Sequence, residues 1–309
     1  MGGGSRLWCH EPTAGDGGWL SEVSFFVQNA LGGLAYGGLL FLPAAGLTLV
    51  FGLMRVINIA QTSFYLVGAY VGLTLVRNHL NFWLAALVSG VVILVLGVAA
   101  YGLLIQRIRS DELRVVLLTI GLSLILADGA LAVWGGNPQS MDAPAGLDAG
   151  VRLGDVTFPA YWLAVTVISA LIAFGLWLVL RRTLLGAIIR AGVDDPEMLR
   201  GMGVMVNRAF IVVFAMGAFL AGLGGVLGAP ITGLHTGLDS ELLALAFAVV
   251  IVGGLGSLTG AFVGSLVVGI ISTFGKAAFP EFAYFAIFAP VALIMALRPQ
   301  GLLGRAEES

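Results

Sequence analysis

From Phe82 to Ile105 the chain carries no charged residue, and apolar runs of comparable length recur along it. A run of about 20 apolar residues is what a helix needs to cross the hydrocarbon core of a bilayer. Backbone groups in lipid find no water to bond, so each run must satisfy its own hydrogen bonds, and a helix does this within one segment. Composition agrees: 59% of residues are hydrophobic, 10% are charged and mean hydropathy is +1.02. A soluble domain would carry about 25% charged residues. The expected fold is an all-α polytopic membrane protein that includes discontinuous helices.

The expected spans are Phe25–Leu53 (with Pro43 inside), Val56–Val76, Phe82–Ile105, Leu113–Trp134, Phe158–Leu180, Ala209–Ala229, a short pair Glu241–Leu255 and Leu258–Gly275, and Phe282–Leu297. That gives eight spans if the short pair is one broken element and nine if both members cross. Residues 1–22 lack the apolar core of a signal peptide and are expected to be disordered, with MGGGS reading as an added remnant. Residues 23–309 are expected to form one transmembrane domain. The single cysteine, Cys9, excludes an internal disulfide framework and a cysteine metal cluster. No basic tract is present to hold nucleic acid.

The segment 181–208 stands out against this apolar background. It holds Arg181, Arg182, Arg190, Arg200 and Arg208 with Asp194, Asp195 and Glu197. Arginine-rich loops stay on the cytoplasmic side. With this loop inside, only Arg6, Arg77, Arg152 and Lys276 of the 15 lysines and arginines fall outside, provided both short helices cross. The N-terminus is then outside and the C-terminus inside. Within the loop Asp195 suits a helix cap, Pro196 the first helical position, Glu197 the positive end, and Gly201 or Gly203 a stop. A capped helix at the cytoplasmic face offers a grip to another protein. The loop 135–157 falls outside, where a soluble partner can meet it.

Two breaks interrupt the apolar pattern. One holds Asn58, Gln61, Thr62, Ser63 and Tyr65; the other holds Gly253, Gly254, Gly256 and Ser257. Helices broken at corresponding places in two halves point to a transporter's substrate path, while a pair of ordinary tight loops gives the same pattern. The neutral groups of the first break are suited either to guiding a zwitterion or to tying helices together. Asp128 is the one acid well inside a long apolar run, and Asp239 with Glu241 reads as the capped start of a short helix. The three histidines, His10, His79 and His235, lie in loops or at span ends, so no intramembrane serine–histidine pair is expected. Neither an HExxH nor a GxxxxGK[ST] pattern occurs. A channel reading would rest on the glycine-rich break as a filter.

Four blocks in order carry a family resemblance. GLTLVFGLMRVINIAQTSFYLVGAY (46–70), GAIIRAGVDDPEMLRGMGVMVNR (186–208), AFAVVIVGGLGSLTGAFVGSLVVG (246–269) and RPQGLLGR (298–305) resemble the inner-membrane permeases of branched-chain amino-acid ABC importers, the LivH type. The segment 109–126 fits between them. The resemblance implies a multi-pass permease of the bacterial inner membrane with no enzymatic activity and no cofactor of its own. Its implied partners are a second related permease, two ATPase subunits that bind ATP, and a periplasmic or lipid-anchored substrate-binding protein. It assigns Arg190, Asp194, Asp195, Glu197, Arg200 and Gly201 to a coupling helix docked in an ATPase.

One stretch departs from the family. Where such permeases carry Phe-Ala-His-Gly-Glu or close to it, this chain has Ile59-Ala60-Gln61-Thr62-Ser63. Two titratable groups are thereby absent from the expected path. Branched-chain or other hydrophobic amino acids are the expected cargo; urea, short amides or carboxylic acids are the alternative, and a channel without ATPases is the reading from another class.

Overall fold

The computed structural model describes residues 18–54, 56–109, 111–147, 150–153, 156–194, 201, 206–278, 280–298 and 301–303. Ten helices are seen among them: α1 (Gly18–Met54), α2 (Gln61–Arg77), α3 (Phe82–Ile108), α4 (Glu112–Trp134), α5 (Ala160–Arg182), α6 (Leu184–Asp194), α7 (Val206–Thr232), α8 (Leu238–Gly253), α9 (Leu258–Ala278) and α10 (Ala283–Leu297). Six of them, α1, α3, α4, α5, α7 and α9, are long and apolar enough to cross a membrane. Of residues 1–22, expected to be disordered, 1–17 lie outside the described residues and 18–22 belong to α1.

Several boundaries differ from the expected spans. Helix α1 itself begins at Gly18, and its candidate membrane span, Phe25–Met54, matches the expected Phe25–Leu53. The second span starts at Gln61 rather than Val56, because Val56–Asn58 is non-helical. The loop 135–157 contains an unforeseen antiparallel hairpin, β1 (Gly150–Leu153) with β2 (Val156–Pro159). Each strand is too short to show alternation in the sequence. Pro159 ends β2 and leads directly into α5, where its missing N–H costs nothing.

Helix α1 forms the centre, with 89% of its apolar window buried, against 17% for α4 and for α5. The faces of α3, α4 and α5 that remain open carry Leu87, Val91, Val95, Leu124, Ile125, Leu171 and Phe174, all exposed. An apolar face of this extent belongs in lipid. Lipid tails are as apolar as leucine, so helices in a bilayer associate through close packing of small residues. The abundant glycines do this here. A Cβ on Gly68 of α2 would stand 2.5 Å from Gly222 Cα of α7, and one on Gly33 of α1 would stand 2.7 Å from Ile270 Cα of α9.

The packing gathers one end of the bundle around the arginines. There α3 and α5 end, with Arg107, Arg109, Arg181 and Arg182, and α7 begins with Arg208. The α8–α9 turn lies at the end of α1, with Gly256 against Gly52. Helices α8 and α9 are antiparallel, since Gly253 faces Gly260 and Gly264 faces Val249. The short pair is therefore a hairpin of two arms rather than one broken element. The C-terminal residues close over its turn: Leu302 N–H donates to Val252 O at 2.7 Å, and Leu303 N–H to Gly253 O at 3.2 Å.

Candidate functional site

Two short helices begin inside the bundle rather than at its surface. The Gln61 side chain donates from Nε2 to the carbonyl of Gly217 at 2.8 Å, and Gly217 lies near the middle of α7. Gly46 of α1 leaves room for the same amide. Two residues on, Ser63 Oγ donates to Asp239 Oδ2 at 3.1 Å and lies 2.7 Å from Ser123 Oγ of α4. Asp239 belongs to the first turn of α8. The starts of α2 and α8 thus meet at mid-depth, α8 being delivered there by Gly237, whose φ of 90° suits only glycine without strain.

The cluster is buried and largely hydrogen-bonded. Asn58, Gln61, Thr62, Ser63 and Asp239 are all buried. Asn58 Nδ2 donates to Gln61 Oε1 at 3.4 Å, while Asn58 Oδ1 finds no partner. Ile59 N–H donates to Thr119 Oγ1 at 3.3 Å. Tyr65 is buried with its hydroxyl against Gly228 of α7. A carboxylate at this depth costs about 2.5–3.5 kcal/mol on insertion scales. Asp239 offsets that in two ways: it accepts from the Ser63 hydroxyl, and it sits at the positive end of α8.

The remaining expected residues fall elsewhere. Gly253, Gly254, Gly256 and Ser257 form the α8–α9 turn at the arginine-rich end, separated from Asp239 by the length of α8, roughly 20 Å at 1.5 Å per residue. Gly254 (φ 101°) and Gly256 (φ 78°) make the turn, and Ser257 Oγ caps α9 by accepting from Gly260 N–H at 3.1 Å. The interruption that brings a second helix start to Asn58–Ser63 is instead the loop 233–237, after which Asp239 reaches Ser63. The expected capping by Asp239 and Glu241 is not realised. Asp239 turns to Ser63, and Glu241 lies 3.7 Å from His235 and 3.9 Å from Lys276. Asp128 is exposed on α4.

Asp239, Thr119 and Ser123 were missed as members of the cluster. The spacing of Thr119 and Ser123 places both on one face of α4, a signal available in the sequence but shared with many helices. Among the described residues no group of three or more His, Cys, Asp or Glu could hold a metal ion.

At the arginine-rich end, α6 follows α5 after one residue. Thr183 Oγ1 accepts from Gly186 N–H at 3.3 Å and so caps it. Arg190 donates to the Leu180 carbonyl at the end of α5. Asp194 ends the helix and Gly201 is exposed; Asp195, Glu197 and Arg200 lie outside the described residues. Where the chain re-enters the bundle, Asn207 Oδ1 accepts from Arg109 Nη1 at 2.9 Å and from the Tyr101 hydroxyl at 3.2 Å. Arg109 also stands over the Phe210 ring at 5.3 Å. Tyr101 opens a π-helical turn, Tyr101–Ile105, within α3, a form concentrated at functional positions.

The family model described as branched-chain amino acid transport system / permease component matches residues 29–297. The permease protein BraD of the high-affinity branched-chain amino acid transport system of Pseudomonas aeruginosa is 27% identical over 93% of this chain and 99% of its own length. LivH of Escherichia coli K12 is 26% identical over 93% and 98%. LsrC of Klebsiella pneumoniae, an autoinducer 2 import system permease, is 31% identical over 82% of this chain and 73% of its own. These relatives are transport permease subunits. With its match across the described bundle, the chain belongs to the permease-component family of branched-chain amino acid transport systems.

Proposed function

We propose that the chain is the permease subunit of an ATP-driven importer that carries branched-chain amino acids across the bacterial inner membrane. The observation that carries this reading is the meeting of two short helices at mid-depth around the buried Ser123–Ser63–Asp239 chain. A continuous bundle has no use for a carboxylate there; a transporter does, because residues at broken helices can exchange partners as the halves rock. Asn58, Gln61 and Ser63 close the inward path in this conformation, with Thr62 and Tyr65 packed beside them. Asn58 Oδ1, unpaired, is a free acceptor for an ammonium group once the path opens. The names of the relatives favour amino acids over urea, short amides or carboxylic acids, and over a channel.

ATP is hydrolysed by two separate ATPase subunits in this reading, and a second related permease and a substrate-binding protein complete the importer. Helix α6 and the segment from Asp194 to Gly201 dock in an ATPase. Movement of that segment reaches α7 at Asn207 and passes to α3 through Arg109 and Tyr101.

The test is ATP-dependent uptake of labelled L-leucine by the assembled importer in proteoliposomes. Uptake competed by L-isoleucine and L-valine, but not by urea or acetamide, is expected. Flux without ATP, or competition by urea alone, would overturn the reading.

A further inference from the structure

At the end of the bundle opposite the arginines lies a cavity of about 300 Å³, at the lower bound of about 300–1,000 Å³ usual for small-molecule sites. Its walls come from Tyr36 in the middle of α1, the outer ends of α5, α7 and α9, His235 and the first turn of α8. Three features mark it as built. Glu241 and Lys276 form an ion pair on its lining at 3.9 Å, and Lys276 is steadied over the Tyr36 ring at 5.2 Å. One wall is apolar, made of Trp162, Ile231, Leu238 and Leu242. Finally, Ser272 on its lining is fully buried, and its hydroxyl has no hydrogen-bond partner. A buried polar atom without a partner costs about 1–3 kcal/mol, a cost that a bound ligand would relieve.

We propose that this cavity is the outer receiving site for the amino-acid zwitterion. The inference rests on the amino-acid reading above. The two charges of an α-amino acid sit on one carbon, so a receptor needs its opposite charges equally close, as Glu241 and Lys276 are. The ammonium goes to Glu241, beside His235, and the carboxylate to Lys276 with the Ser272 hydroxyl donating. The side chain lies against Trp162 and Leu242. Leu238, Glu241 and Leu242 lie on one face of the first turn of α8, while Asp239 on another face bonds to Ser63. This single helical turn therefore separates the outer site from the closed path beneath it.

The test uses the assembled importer in membrane vesicles, with the full chain carrying Cys9→Ser and Thr273→Cys. Thr273 lines the cavity, and the probe is methyl methanethiosulfonate. L-Leucine is expected to slow labelling by about tenfold at ten times its half-protecting concentration. Isovalerate, which lacks the ammonium, and isopentylamine, which lacks the carboxylate, protect far less. Glu241→Gln or Lys276→Gln raises the half-protecting concentration by about tenfold or more, the worth of one charge-assisted hydrogen bond. Glu241→Asp and Lys276→Arg, which keep the charges, retain most of the protection. Labelling that leucine leaves unchanged, or protection by the two single-charge analogues equal to that by leucine, overturns the proposal. ATP-driven leucine uptake in the same vesicles separates the two readings. Uptake without protection removes the cavity and leaves the importer, whereas protection without uptake does the reverse.

Discussion

Helices α2, α3 and α7 meet where Gly68 packs on Gly222 and Ser89 Oγ donates to the Gly68 carbonyl at 2.6 Å. In Gly68→Ala the new methyl would stand 2.5 Å from Gly222 Cα and 2.9 Å from its carbonyl oxygen. That is about 1 Å inside ordinary contact. The opposing atoms are backbone, so no rotamer change relieves the clash and the two helices must separate. Overpacking of this kind costs about 1–3 kcal/mol. Alanine returns up to about 1 kcal/mol in helix propensity, leaving a net loss of up to about 2 kcal/mol. Gly175 of α5 has nothing within 4 Å of its Cβ position, so Gly175→Ala keeps the propensity gain alone. The propensity gain is common to both variants, so at about 2 °C per kcal/mol for a chain of this size they should differ by about 2–6 °C. The measurement is the temperature at which half of the detergent-purified protein leaves the monodisperse gel-filtration peak. A Gly68→Ala protein as heat-resistant as Gly175→Ala would refute the claim that glycine contact holds α2 on α7.

Asp239→Asn keeps the Ser63 contact and removes the charge, so leucine uptake should fall about tenfold or more, the worth of a hydrogen bond to a charged group, while membrane insertion is retained; unchanged uptake would place the path elsewhere. Arg109→Ala removes both the Asn207 hydrogen bond and the Phe210 contact. ATPase activity should persist while uptake per ATP drops, and coupled transport at the wild-type ratio would count against transmission through Asn207. Reversing both Asp195 and Glu197 to Lys should separate ATP hydrolysis from uptake without preventing assembly, as measured by co-purification of the ATPases; uptake at wild-type level with ATPases bound would contradict the docking role.

The site was legible in part, and for definite reasons. Asn58, Gln61 and Ser63 announce themselves as polar groups in an apolar run, and the structure keeps them together. The glycines at 253–256 look like a matching interruption, yet they form a turn at the arginine-rich end. Their composition suits any close backbone approach and does not reveal depth. Asp239 is the reverse case. Next to Ser240 and Glu241 it reads as a cap, and only the position of α2 shows that its carboxylate faces Ser63. Glu241 and Lys276 are 35 residues apart in sequence, so their approach at 3.9 Å could not be anticipated.

The sequence by itself determined the class of fold, the order of the apolar helices to within their ends, and the gathering of most arginines at one end of the bundle, while leaving the number of spans at eight or nine. These follow from local hydropathy and from charge counted along the chain, which need no knowledge of neighbours. The tertiary structure decided the depth at which α2 and α8 begin, which glycines are crossing points, and which polar groups share a cavity. In a bilayer the lipid and the helix interior are equally apolar, so hydrophobicity does not tell one helix face from another. Packing of small residues and a few buried hydrogen bonds settle the arrangement, and those are properties of pairs that are distant in the chain.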